Sequence, residues 1–103
     1  MADGVAEREV LLREEYARQL APIRWHELQT YFAHGSVIAV APSLELLDVA
    51  VQLGMDNTTR FAQWIKQGDV APISDAQAQT WYNIDATLWA VVAAPWVLVQ
   101  LNE

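Results

Sequence analysis

Two histidines, a pair of neighbouring carboxylates and three serines are the residues of this 103-residue chain whose types could do chemistry. His26 and His34 lie eight positions apart, with Glu27 beside the first. On a single helix they would face nearly the same side, but about 12 Å apart along the axis at 1.5 Å of rise per residue. A chelating helical pair needs a spacing of three or four, as in H-E-x-x-H, so these two imidazoles cannot share one ion. His34, next to Gly35, reads instead as a cation near the negative end of a helix. Glu45 and Asp48, three apart on a predicted helix, could divide acid and base roles if burial drove their pKa values apart. A pocket near them is the ligand-binding or enzymatic reading; a solvated polar helix face explains the same spacing. Ser36, Ser43 and Ser74 lack the G-x-S-x-G setting of a nucleophile elbow, and the last two suit helix capping. The four glycines, at positions 4, 35, 54 and 68, are too scattered for a phosphate-cradling loop. The sequence therefore assigns no catalytic residue, no metal and no cofactor.

Composition narrows the partners. Thirteen acidic side chains against six basic ones give a net charge of −7, which repels both nucleic acid and anionic membrane surfaces. Without cysteine there are no disulfides, thiolate nucleophiles or thiolate-bound metals. The first ten positions, MADGVAEREV, carry acidic and small residues where an export signal would carry a basic segment and then an apolar one, so a cytoplasmic location is expected. The apolar run LWAVVAAPWVLVQL, residues 88–101, is shorter than the about 20 residues a membrane helix needs, and Pro95 would break a helix there.

The elements that would position any site follow from periodicity. Leu12, Tyr16 and Leu20 recur every four residues and predict a helix over 5–20, with Glu9/Arg13 and Glu14/Arg18 as ion pairs along its outer face. A second helix over 24–34 would carry Trp25, Leu28 and Phe32 on one stripe and stop at Gly35. SVIAVAP, residues 36–42, predicts a buried strand ended by Pro42. Ser43 would cap a helix to about Leu53, and Asp56 or Asn57 the next, which bears Phe61, Trp64 and Ile65 and ends at Gly68. DVAPI predicts a short strand. Ser74 and Gln77 match the capping box of a helix carrying Ala78, Trp81 and Tyr82 inward. Residues 88–101 lack polar alternation, so as a strand they need cover on both faces, with a bend at Pro95. The expected class is α+β: a small mixed sheet of about three strands with about five helices, order ααβααβαβ. Residues 1–10 are expected to be a flexible amino-terminal segment and 11–103 one compact domain.

The stretches IRWHELQTYFAHG, VAPSLELLDVAV, WIKQGDVAPISDAQAQTW and LWAVVAAPWVLVQ together resemble the small bacterial domain-of-unknown-function family numbered 2288, over residues 11–100. The closing motif with Pro95 and Trp96 is the most specific part. Arg24 and His26 depart from the family pattern, which more often has proline and serine there. The resemblance implies a compact bacterial cytosolic protein and brings no activity, ligand or catalytic residue.

FAQWIKQGDVAPIS also looks like a helix-turn-helix of the excisionase type, but from residue 60 onward the chain offers only Arg60 and Lys66 to phosphates, which disfavours DNA binding. Trp64, Trp81 and Trp89 fall on apolar stripes and are expected in the core; Trp96, just past the bend, is the tryptophan expected to be partly exposed. A strand apolar on both faces needs two covering layers, and a chain of this length is expected to need a second copy for one of them. The function expected is thus protein–protein interaction, as a homodimer, through Trp89, Pro95, Trp96 and Leu98, with the pocket at Glu45 and Asp48 as the alternative.

Overall fold

In the computed structural model, which describes residues 2–101, local chemistry sets the ends of two helices. Asn57 accepts the Arg60 amide at 3.2 Å and starts α4 (Thr58–Gln67), and Gly68 closes it at φ 79°, a left-handed conformation that glycine adopts without cost. Ser74 accepts the Gln77 amide at 3.1 Å and starts α5 (Asp75–Ile84). The helix expected after Ser43 begins later, as α3 (Leu46–Gly54), preceded by Glu45 without a side-chain cap. Residues 2–10, set apart in the sequence reading, belong to α1 (Ala2–Gln19).

Five strands form one sheet, where the sequence predicted about three. β1 (Ala21–Arg24), β2 (Val37–Val40), β3 (Val70–Pro72), β4 (Thr87–Ala93) and β5 (Trp96–Leu101) lie in the order β1-β4-β5-β2-β3. β5 runs parallel to β2, and the remaining pairs are antiparallel. The mixed α+β class therefore holds. The expected bend at Pro95 is a full reversal: the Ala94–Pro95 peptide is cis, and the terminal run folds into the β4–β5 hairpin. The other added strand, β1, takes up Arg24 from the predicted second helix, whose remainder is a 3-10 turn (Trp25–Leu28) and the short α2 (Gln29–Ala33). The two edge strands each contain a proline, Pro22 and Pro72, a residue that cannot extend a ladder with its own N–H.

Helices cover the sheet on both faces. Trp25, Leu28, Val37, Trp81, Leu88, Val97 and Val99 build one core, in which the Trp25 ring sits edge-on to Trp81 at 5.2 Å. Val40, Leu46, Val49, Trp64, Val91 and Leu98 build the other, beneath α3 and α4, with Tyr16 of α1 packed against it. The two covering layers of β5 thus come from the chain itself, which corrects the expectation that a second copy must supply one. Tyr82, expected inward, is exposed, because Ala78 and Trp81 alone fill the inner face of α5.

The ion pairs predicted along α1 are replaced by others. Arg18 bonds Glu15 at 2.6 Å, and Arg13 leaves its helix to reach α3, donating to Glu45 at 3.0 Å and to Asp48. A guanidinium with two carboxylates across a helix interface is better satisfied than one with a single neighbour in its own helix.

Candidate functional site

The β4–β5 register fixes where the chain's apolar surface lies. Trp89 pairs with Gln100, Val91 with Leu98 and Ala93 with Trp96, so by strand alternation all six point to the face covered by α1, α3 and α4. Val91 and Leu98, at the middle of that face, are fully covered by α3. Trp89 and Trp96, at its two ends, each remain 37% exposed.

Around Trp96 the covering is incomplete. Ile38, Leu53, Phe61, Ile65, Val70 and Pro72 join it around an open cleft of about 440 Å³. Its lining side chains come from β2, α3, α4, β3 and β5, and none of them is polar. Phe61, Leu53 and Ile65 also line a second, adjoining depression of about 220 Å³ with Asn57 and Thr58. Ile65 stands 55% exposed on the rim. An apolar concavity without a polar orienting group suits a hydrophobic side chain from another protein better than a polar substrate. Arg60 and Lys66, both exposed, flank Phe61 and Ile65 on α4.

The residues singled out by sequence are dispersed. Trp96 lines the cleft, Pro95 forms the exposed hairpin tip, and Leu98 lies inside the protomer at 0% exposure. Leu98 is therefore core and presents nothing to a partner; sequence gave no way to see that α3 caps it. Trp89 and Glu45 do meet, in a shallow recess of about 250 Å³ with Leu20, Leu46, Leu47 and Gln100. Asp48 is not part of it. Glu45 and Asp48 are instead the acceptors for Arg13, whose pKa is raised chiefly by the hydrogen bond to Asp48. One guanidinium thus engages both carboxylates at once, and they form an ion-paired link between α1 and α3.

A second polar cluster escaped the sequence reading. Asp85, which ends α5 in a left-handed conformation at φ 46°, accepts from Arg24 Nε at 2.6 Å and also from its Nη2. His26 Nδ1 lies 3.5 Å from the same carboxylate, and its Nε2 donates to the Tyr82 carbonyl at 3.0 Å. The hydrogen bond from Arg24 holds the Asp85 carboxyl below its ordinary pKa. Every partner here ties β1 and the 3-10 turn to the end of α5, so the cluster is a clasp between distant segments. The one local signal for it was an aspartate at the end of the predicted helical stretch.

Among the described residues, no three His, Asp or Glu side chains gather where a metal could be held, and no helix is long and apolar enough to cross a membrane. The segment likened to a helix-turn-helix leads from α4 into the edge strand β3, so its two helices do not adjoin through a simple turn.

Comparison with known proteins adds a family and a fold. The family described as "Protein of unknown function (DUF2288)" matches residues 11–101. The NMR solution structure of PA1075 from Pseudomonas aeruginosa superposes with a TM-score of 0.80 at 35% identity, over 90% of this chain and 86% of that one. No curated protein matches.

Proposed function

The chain belongs to the DUF2288 family, and from that premise we propose that it is a self-associating protein-interaction module whose contact surface is the cleft around Trp96. The observation that supports this reading is a concavity of about 440 Å³ lined by apolar side chains alone, with Trp96 and Ile65 half open to water. Large aromatic and aliphatic side chains held at a rigid surface supply most of the energy of protein contacts, because covering them removes apolar area without ordering a flexible group. Trp96 is held by its ladder position on β5 and Ile65 by α4, so both are preorganised.

The surface for this role is narrower than the sequence suggested. It includes Trp96 and the Pro95 tip, excludes the buried Leu98, and lies away from Trp89. The pocket reading at Glu45 and Asp48 has less support, because Arg13 engages both carboxylates.

Light scattering on the purified protein at high micromolar concentration tests the reading. The expected result is a mass above that of one chain for the wild type and the mass of one chain for Ile65→Glu, whose charge would sit in the cleft rim. A wild-type protein that stays monomeric overturns it.

A further inference from the structure

We infer that the cleft of one copy receives the Val10–Leu11 ridge of α1 from a second copy, in a reciprocal two-fold dimer; this rests on the reading of the cleft as a self-association surface. Val10 and Leu11 are 56% and 59% exposed on α1, although Leu12 and Tyr16 of the same helix pack against α3 at Gly54. An exposed valine–leucine pair is unneeded for the fold and is the kind of convex apolar feature that an open concavity accepts.

Charge supports the match. Glu7 and Glu14 stand exposed one helical turn to either side of the ridge, and Lys66 and Arg60, the latter with its guanidinium 5.2 Å over the Trp64 ring, stand exposed beside the cleft. The chain's other four cations already have oxygen partners within their own protomer: Arg8 on the Gly54 carbonyl, Arg13 on Glu45 and Asp48, Arg18 on Glu15, and Arg24 on Asp85. In a protein of net charge −7, the acidic ridge and the basic rim of α4 are the complementary pair that a second copy can join.

Topology supplies the symmetry. α1 and the cleft meet at the end of α3, where Leu53 lines the cleft and the Gly54 carbonyl accepts from Arg8. A two-fold axis beside that point lays each ridge on the other copy's cleft, so both contacts form together and the assembly closes at two. A head-to-tail ridge-to-cleft contact would instead build a ring or an open filament.

Mixing experiments test this. Leu11→Glu and Ile65→Glu change exposed helix positions, and unchanged circular dichroism verifies that each variant folds. Each variant alone is expected to weaken the dimer by about tenfold or more, the cost of placing a charge where apolar area is buried. An equimolar mixture is expected to recover dimer, because in a mixed pair the intact ridge of the Ile65→Glu chain meets the intact cleft of the Leu11→Glu chain. If Ile65→Glu dissociates the dimer while Leu11→Glu leaves it unchanged, the ridge is not the occupant and the cleft reading stands. If both variants abolish the dimer and mixing restores nothing, the reciprocal arrangement is wrong. A wild-type protein that is monomeric, or a dimer that neither variant disturbs, removes both readings together.

Discussion

Trp89 and Trp96 point to the same face of one hairpin and are equally exposed, yet they line different concavities at opposite ends of α3: Trp89 with Leu46 and Leu47, Trp96 with Leu53. A helix nine residues long keeps the two indoles from forming one surface. Trp89→Ala is therefore expected to leave self-association unchanged, whereas Trp96→Ala weakens it by about tenfold or more. Sedimentation of the two variants at matched concentration decides this; equal effects would merge the surfaces that α3 separates.

Leu98 faces the same way as both tryptophans but is fully buried between Val91, Val40 and the α3 side chains. Leu98→Ala is expected to cost about 3 kcal/mol of folding stability, through lost transfer energy and the cavity left behind. Set against a total of about 5–15 kcal/mol for a domain, that is a large share. Urea unfolding measures it. A loss below about 1 kcal/mol would mean that α3 does not seal this position.

The cap chemistry of Asn57, Ser74 and Gly68 was legible in the sequence because each acts on a backbone group within its own turn. The reversal at Pro95 was legible in part, since proline interrupts a ladder wherever it falls; Trp96 is partly exposed as expected, but Trp89, expected in the core, is exposed to the same extent because α3 stops short of covering it. β1 was not legible: Ala21–Arg24 has little strand character of its own and is extended because Ile23 pairs with Leu88, far along the chain. The cleft was hidden for the same reason, as Ile38, Leu53, Phe61 and Pro72 come together only through the crossing of four elements. Residues 88–101 were read as needing cover on both faces; the chain's own helices cover Leu98 and Val99 of β5, while Val92 on β4 stays half exposed, a difference set by topology.

Arg13 joins α1 to α3 through Glu45 and Asp48, with all three side chains between 38% and 60% exposed. Solvent screens such contacts, so Arg13→Ala is expected to cost only about 0.5–1 kcal/mol. The difference from wild type should shrink at high salt. Thermal unfolding at low and high ionic strength checks both statements; a salt-independent loss would assign the effect to packing of the arginine stem.

Asp85 gives the acid limb of stability a definite sign. Its carboxyl is held below the ordinary value of 3.8, first by the hydrogen bond from Arg24. The unfolded chain therefore binds that proton more readily, and the contribution is complete above the ordinary pKa and lost as pH falls through the folded one. Asp85→Asn, which tolerates the left-handed backbone and removes the charge, is expected to be less stable at neutral pH. It should also lose stability less steeply than wild type as pH falls below the ordinary carboxylate pKa. Parallel acid-unfolding curves for the two proteins would contradict the clasp.

The five tryptophans provide their own reporters for the central proposal. Indole N–H resonances followed by NMR from dilute to high micromolar protein should show Trp96 shifting with concentration, while Trp25 and Trp81 in the core and Trp89 at the far end of α3 hold still. If no indole resonance moves, or if Trp89 moves and Trp96 does not, the cleft is not where copies of this chain meet.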